Sequence, residues 1–203
     1  MSLRIVDTGP LLFLARLNRL ELLKIGAERV LVPSAVIIEI QRKDDLALER
    51  IQACYGEWLG ECILTSPEIL KLLPDLGKGE REVIAQALGQ KINSVILDDL
   101  DARRIARRFG LVPTGTVGLL LAAKKLNLIP SLKVELESLK AMGFWISQSL
   151  LTEALKEAGE RIKECNCGIT ATYHRFYWSF IRWTFQARIH VSNCVISLLI
   201  YGH

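Results

Sequence analysis

The sequence predicts an α/β protein with a central parallel sheet of four or five strands, covered by helices on both faces. Short, mostly apolar runs bounded by turn residues alternate along the chain with longer segments whose apolar residues recur at helical spacing. Strands that alternate with helices in this way pair in parallel, because each helix carries the chain back to the start of the next strand.

The first half of the chain begins with a strand over residues 3–6. Asp7 stands where this strand ends, and Gly9-Pro10 opens an apolar helical segment. Asn18 is predicted to cap a second short helix within that segment. Residues 29–33 form the next strand, and Ser34 is predicted to cap the helix that follows it.

The second half repeats the alternation with less regular spacing. A solvated helix is predicted within residues 44–60, and Ser66-Pro67 opens another helix. A turn at Gly77–Gly79 precedes a helix with Glu80 in its first turn. Residues 94–97 and 111–113 form the third and fourth predicted strands, residues 143–146 are a candidate fifth strand, and residues 62–65 are a further candidate for a short strand. Further helices are predicted at residues 102–109, 117–126, 131–142 and 150–162, the last capped by Ser147.

Composition changes abruptly near residue 165. The chain has 203 residues and a formal charge of +4. Residues 165–203 contain three arginines, no acidic residue, all three histidines and eight of the fourteen aromatic residues. We therefore expect one domain over residues 1–164 and an atypical tail over residues 165–203. The tail fits an extra packing segment, a partner-binding helix or a product of a shifted reading frame.

The domain itself contains no histidine, which limits its chemistry. A Ser-His-Asp triad and a Cys-His pair are both excluded there, so carboxylates must carry any catalysis. The five cysteines lack the spacing of a disulfide framework, and no signal peptide or long apolar run is evident. We expect a cytoplasmic protein that does not enter a membrane.

Acidic residues recur at the ends of strands or in the helices that follow them. Asp7 follows the first strand, Glu39 and Glu80 lie on early turns of two helices, and Asp98, Asp99 and Asp101 follow the strand at residues 94–97. An exposed helical glutamate would also explain Glu39, and a simple helix cap would also explain Glu80. Capping accounts for only one of the three aspartates.

Clustered carboxylates repel one another unless a cation lies between them. Oxygen ligands suit Mg²⁺ or Mn²⁺, which can polarise a phosphoryl oxygen and activate water. We therefore predict metal-dependent phosphodiester hydrolysis, and we expect Asp7, Glu39 and Asp99 to lie together at the carboxyl edge of the sheet with Glu80 nearby. A phosphate loop of the Walker type is excluded, because its Gly-Lys-Ser/Thr ending is absent.

Four motifs in this order resemble the PIN-domain ribonucleases, and in particular their VapC-like branch. They are Val6-Asp7-Thr8-Gly9-Pro10, Val32-Pro33 with Glu39, Gly79-Glu80-Arg81-Glu82, and Leu97-Asp98-Asp99-Leu100-Asp101. In that branch of predicted nucleic-acid-binding proteins, known as a domain of unknown function, Gly-Glu replaces the usual third aspartate, and a segment like Gly115-Thr116-Val117-Gly118 through Ala123-Lys124 follows the fourth strand. The resemblance covers about residues 3–160 and implies a three-layer α/β/α fold with Mg²⁺- or Mn²⁺-dependent cleavage of RNA.

The resemblance also implies roles for individual residues. Asp7 would be the first metal ligand, with Thr8 orienting it or a bound water. Glu39 would be the second acid, Glu80 would replace the third, and Asp99 best matches the fourth, with Asp98 and Asp101 as rivals. The arginines after residue 102 are usually a solvated face, but near a crevice they could meet phosphates; the residues considered for RNA binding are Arg103, Arg104 and Lys124.

The partners implied by the resemblance are RNA and a small antitoxin protein, and a homodimer is also compatible with it. In that interpretation the chain is the ribonuclease toxin of a toxin-antitoxin pair. The alternative is a catalytically weak or inactive module that binds nucleic acid or a protein partner, because Glu80 is one methylene longer than the aspartate that it replaces.

Overall fold

A computed structural model of the chain describes residues 2–42 and 46–160. Five strands are present in this part: β1 (Leu3–Val6), β2 (Arg29–Pro33), β3 (Leu59–Cys62), β4 (Ser94–Ile96) and β5 (Val112–Thr114). The helices are α1 (Thr8–Arg16), α2 (Ser34–Gln41), α3 (Leu46–Cys54), α4 (Lys78–Gly89), α5 (Leu100–Arg108), α6 (Thr116–Lys125), α7 (Leu132–Ala141) and α8 (Gln148–Glu157). Two 3-10 turns, Leu20–Lys24 and Pro67–Lys71, complete the described part.

The five strands form one parallel sheet in the order β3-β2-β1-β4-β5. β1 lies at its centre and pairs with β2 on one side and with β4 on the other. Helix α4 packs against β1, β2 and β4, while α1 packs with α3 and α6. The prediction of a three-layer α/β/α fold around a parallel sheet is confirmed.

The central strands are apolar because the sheet is covered on both faces. Ile5, Val6, Val30, Val95 and Ile96 are all fully buried. Strands in this environment bury both of their faces and therefore lack the polar alternation of a solvent-facing sheet. This explains why the short apolar runs predicted the central strands accurately.

The order of the strands creates a crevice at the sheet's carboxyl edge. The chain leaves β1 toward β2, whereas β4 joins β1 from the opposite side. Loops that leave two neighbouring strands in opposite directions leave a gap between them, and ligands of open α/β sheets bind there. The backbone N–H of Asp7 donates to the carbonyl of Ile96 at 3.0 Å, which joins the ends of β1 and β4 at this point.

Two strand predictions were wrong. The third strand covers Leu59–Cys62 and not residues 62–65; Ile63, just beyond it, is 76% exposed. β3 lies at an edge with one neighbour, so Gly60 and Glu61 are tolerated within it and weaken its apolar signal. Residues 143–146 form a connection between α7 and α8, in which Phe144 packs edge-to-face on Phe13 with the ring centroids 5.0 Å apart.

Two predicted caps were also wrong. Asn18 adopts a left-handed conformation, with φ at 59°, and ends α1 instead of capping the next helical segment. Ser34, the other predicted cap, is the first residue of α2 and does not cap it. The first turn of α2 is capped instead by Glu82, whose carboxylate accepts a hydrogen bond from the Ala35 N–H at 2.8 Å. Ser147 does cap α8, as predicted, by accepting from the Leu150 N–H.

In residues 2–42 and 46–160, no helix combines the length and the apolar character needed to cross a bilayer. The tail predicted over residues 165–203 lies outside the described residues.

Candidate active site

Asp7 and Asp98 stand at the two sides of the crevice. Asp7 follows β1 directly, and Asp98 follows β4 after Leu97. Asp7 is only 8% exposed, whereas Asp98 is half-buried. The carboxylate charge of Asp98 is close enough to raise the pKa of Asp7. The aspartate that the structure brings to Asp7 is therefore Asp98.

Glu39 reaches the same crevice from α2. Its Oε2 accepts a hydrogen bond from the Thr8 hydroxyl at 2.6 Å. Thr8 is the first residue of α1 and is buried. Thr8 therefore orients Glu39, while its backbone N–H interacts with Asp7. The interpretation of Glu39 as a plain exposed residue does not hold, because the side chain is half-buried and hydrogen-bonded.

Gly79 allows the first turn of α4 to approach both carboxylates. A Cβ at this position would lie 2.9 Å from Asp7 Oδ1, 3.3 Å from Glu39 Oε2 and 3.3 Å from Val36 Cγ2. Two carboxylates thus border one small space that only a residue without a side chain leaves open. Gly79 is buried.

Glu80 lies beside this pair but is held by its own helix. Its Oε2 accepts from the Gly77 N–H at 2.8 Å, so the side chain turns back over the start of α4. Its pKa is raised mainly by burial and also by the charges of Asp99 and Glu39. Glu80 is therefore both a helix-capping acid and a member of the acidic cluster, and the two interpretations offered by the sequence are compatible.

Asp98 is fixed by the start of α6. Its Oδ1 accepts from the Thr116 N–H at 2.7 Å, and its Oδ2 accepts from the Thr116 hydroxyl at 2.6 Å. Thr116 is fully buried. Thr116 lies between the strand predicted at residues 111–113 and the helix predicted at residues 117–126, and the sequence alone gives it no role. The Gly115-Thr116 pair after the fourth predicted strand was the signal that could have identified it.

Asp99 and Asp101 have different surroundings. Asp99 is exposed and caps α5, because its Oδ1 accepts a hydrogen bond from the Ala102 N–H at 2.7 Å. Its charge helps to raise the pKa of Glu80. Asp101 is exposed and pairs with Arg104 at 2.9 Å on the surface of α5. Asp99 thus lies at the margin of the cluster, and Asp101 is engaged outside it.

Electrostatics distinguish Asp7 from the other acids. Burial, together with the charges of Glu80, Glu39 and Asp98, raises the pKa of Asp7 to about 7, although a hydrogen bond from the Thr8 backbone N–H acts in the opposite direction. Burial also raises the pKa of Asp98, while the two hydrogen bonds from Thr116 and the charge of Arg103 lower it. Near neutral pH the cluster therefore holds a proton that a bound cation would displace.

The three basic residues considered for RNA binding lie in different places. Arg103 borders the crevice, because its guanidinium and the Asp98 carboxylate both lie close to Gly115. Arg104 pairs with Asp101. Lys124 donates to the Pro130 carbonyl at 2.7 Å and pairs with Glu160, so it connects α6 to the start of α7. Only Arg103 is beside the cluster.

The donor chemistry of the cluster fits a divalent cation. Its side-chain donors are all carboxylate oxygens, the donor type that Mg²⁺ and Mn²⁺ prefer. In the part of the chain that the structure describes, no ion pair involves Asp7, Glu39 or Glu80. No three acids there converge on a single ion-sized point, because Glu80 and Asp98 are turned toward Gly77 and Thr116.

A groove of about 740 Å³ extends from the cluster between α5 and α8. Asp98 and Asp99 lie at one end, Arg103 and Arg107 line the α5 wall, and Trp145 lies near the α8 wall. Trp145 is 83% exposed, although large aromatic side chains are usually buried. Trp145 falls in the segment predicted as a strand, and Arg107 has no individual role in the sequence predictions. Residue propensities give no signal for the functional role of either position.

Comparison with known proteins agrees with this geometry. A family model described as a PIN domain matches residues 3–160 of the chain. No curated protein sequence shows a significant match. PIN domains are typically nucleases, and they generally use divalent metal ions. The match covers more than three quarters of the chain, including all five strands and every acid of the cluster. The chain therefore belongs to the PIN-domain family, to which its four motifs pointed.

Proposed function

We propose that this protein is a Mg²⁺- or Mn²⁺-dependent endoribonuclease that hydrolyses the phosphodiester backbone of RNA. The observation that carries the proposal is the acidic cluster at the sheet crevice: Asp7 and Glu39 border the space that Gly79 leaves open, and the charge of Asp98 raises the pKa of Asp7. Within the described residues, neither Asp7 nor Glu39 forms an ion pair. A buried carboxylate without a compensating charge costs folding free energy, and carboxylates with strongly shifted pKa values are typical of functional sites.

The residues have distinct roles in this proposal. Asp7, Glu39 and Asp98 would hold the cation, Glu80 would join them on leaving Gly77, and Asp99 would complete the outer side. When bound, the cation would supply polarisation of a phosphoryl oxygen and activation of water. The hydroxyl hydrogen bonds of Thr8 and Thr116 fix the positions of the Glu39 and Asp98 carboxylates beside the crevice.

The direct test is incubation of the purified chain with a mixed pool of RNA in Mg²⁺, in Mn²⁺ or in EDTA. We expect cleavage with either cation and none with EDTA. Intact RNA under all three conditions would contradict the proposal. Single-stranded DNA of matched sequence in the same buffers distinguishes a ribonuclease from a general nuclease.

A non-catalytic binding module is the second candidate. The hydrogen bond between Glu80 and Gly77 favours it, since that bond must break before Glu80 can become a ligand. This candidate predicts metal-independent RNA binding without cleavage. The Glu80→Asp variant separates the two candidates: restored cleavage in a weak wild-type enzyme would indicate that the longer side chain alone limits activity.

The role as a toxin restrained by a small antitoxin in the cytoplasm belongs to the same proposal. Its support is the likeness of the motifs to VapC-like proteins. Expression of the chain in a bacterium tests it, with and without any small antitoxin-like reading frame that is found next to its gene. Growth arrest that depends on Asp7 and is relieved by the neighbour is the expected result. Gel filtration of the two together, and of the chain alone, would report complex formation and any homodimer.

Asp98 and Asp99 should differ strongly in their importance for cleavage. We expect Asp98→Asn to lower the rate by about 100-fold or more, because it removes a charge next to Asp7. Asp99→Asn should cost less than about tenfold, since asparagine also caps helices well and Asp99 lies at the margin. Cleavage rates at saturating Mn²⁺ measure both effects, and a larger loss for Asp99→Asn would contradict the assignment.

The tail beyond residue 164 should be dispensable for the fold of the domain. The described residues already bury a continuous core, and the family match ends at residue 160. Truncation after Lys163 should therefore give a soluble protein with a single cooperative thermal transition. Insoluble or non-cooperatively melting protein would indicate that the domain needs the tail.

A further inference from the structure

The groove between α5 and α8 has features that the acidic cluster does not explain. Its lining is largely apolar, with Val117 and Leu121 of α6 at its floor and Trp145 at its rim. Its volume is within the range of pockets that take a small organic ligand. One end opens directly onto Asp98 and Asp99. A molecule that reacts at the cluster would therefore extend naturally into the groove.

The two walls of the groove carry opposite charges. Arg103 and Arg107 are four residues apart on α5, so both guanidiniums face the same side. Within the described residues, Arg107 forms no ion pair or side-chain hydrogen bond. Glu153 and Glu157 lie on the α8 wall, and Glu157 pairs with Lys125. Phosphates are therefore favoured along α5 and disfavoured along α8.

Trp145 gives the groove an exposed aromatic face. Its neighbour Phe144 turns inward to pack on Phe13 and anchors the connection, while Trp145 points to solvent. Exposed aromatic side chains beside basic residues are the usual platform for unpaired bases, because every base has a face that can stack. A stacked pair in a duplex has no free face to offer.

We propose that this groove is a base-stacking subsite, in which Trp145 holds an unpaired nucleotide adjacent to the scissile phosphate while Arg103 and Arg107 bind the neighbouring backbone. This inference rests on the proposed ribonuclease function and adds to it the selection of an unpaired nucleotide beside the cut. In this arrangement the phosphate backbone of the RNA lies along α5, and the unpaired base lies across the apolar floor of the groove toward α8.

The test is binding of a short fluorescein-labelled single-stranded RNA to the full chain in EDTA, followed by anisotropy, so that cleavage plays no part. We expect Trp145→Ala to weaken binding about ten- to a hundredfold, the range measured for loss of one stacked base. Trp145→Phe should recover most of the affinity. Arg107→Gln should weaken binding and lower the slope of log affinity against log salt by about one.

Matched controls lie outside the groove. Leu126→Ala removes a large exposed apolar side chain that is 58% exposed, and Arg108→Gln removes the charge next to Arg107 in the sequence; neither residue lines the groove. Both should bind as the wild type does. An RNA that carries 2-aminopurine should lose fluorescence on binding to the wild type but not to Trp145→Ala, which reports stacking directly.

The outcomes separate this inference from the proposed function. Cleavage by the wild type with unchanged binding by Trp145→Ala would overturn the subsite and leave the ribonuclease proposal intact; the groove would then suit a protein partner. Trp145-dependent binding without cleavage in any metal would support the subsite and overturn the catalytic proposal. Equal effects of Trp145→Ala on single-stranded and duplex RNA would also contradict a stacking role.

Discussion

Replacing Asp7 by asparagine should abolish metal-dependent cleavage and at the same time stabilise the metal-free protein. The carboxylate is buried among Glu39, Glu80 and Asp98, so its charge costs folding free energy. Removing that charge should raise stability on the order of 1–4 kcal/mol at pH 8, or roughly 3–10 °C in the melting temperature. If Asp7 were instead a structural aspartate held by favourable contacts, its replacement by asparagine would lower the stability of the protein.

The stabilisation by Asp7→Asn should depend on pH. The folded-state pKa of Asp7 is about 7, against an ordinary value of 3.8, so the folded protein holds this proton more tightly than the unfolded chain does. The wild type therefore loses stability as pH rises from about 4 to about 7, and the cost is complete above pH 7. Asparagine has no such cost, and its advantage should shrink as pH falls from 8 to 5.5.

Melting curves at both pH values, with and without Mn²⁺, measure these effects. Mn²⁺ should raise the melting temperature of the wild type and not that of Asp7→Asn, because the variant lacks a ligand. Asp75→Asn is the matched control, since Asp75 is exposed and lies outside the cluster. If Asp7→Asn cleaves RNA at the wild-type rate, the carboxylate mechanism is wrong.

Gly79→Ala should lower both stability and cleavage, although alanine normally favours a helix over glycine by about 1 kcal/mol. The new Cβ would lie 2.9 Å from Asp7 Oδ1 and would also press on Glu39 and Val36. Overpacking of this kind costs about 1–3 kcal/mol, and a displacement of reacting groups by about 1 Å can cost about 100-fold in rate. Thermal melting and single-turnover cleavage measure the two losses.

Lys78→Ala is the control for Gly79→Ala, because Lys78 is exposed in the same helical turn. It should change stability by less than about 0.5 kcal/mol. In an Asp7→Ala background the Gly79→Ala substitution should cost less stability, since the closest contact is gone. A stabilising Gly79→Ala would show that α4 does not pack on the carboxylates as described.

The central strands and most helices could be predicted from the sequence because their signals are local. β1 and β2 match the prediction at every residue, and β4 and β5 differ by one residue at their ends. A strand buried on both faces must be apolar throughout, so its pattern survives without knowledge of its neighbours. The edge strand β3 was displaced, because an edge position tolerates Gly60 and Glu61.

The acids at the carboxyl edge were also predictable, since parallel strands end at one edge of the sheet. The choice among Asp98, Asp99 and Asp101 was not. These side chains interact with Thr116, with the start of α5 and with Arg104 respectively. Sequence spacing cannot distinguish them, because the partner of Asp98 comes from a helix eighteen residues later.

The sequence by itself determined the fold class, the PIN-domain family and the acidic character of the crevice, because apolar periodicity and residue type express these properties locally. The tertiary structure decided how the acids are arranged. It placed Asp98 next to Asp7, made Gly79 the point where α4 meets two carboxylates, and joined Arg107 and Trp145 to one groove. Each of these depends on contacts between residues far apart in the chain, which only packing of the helices on the sheet creates.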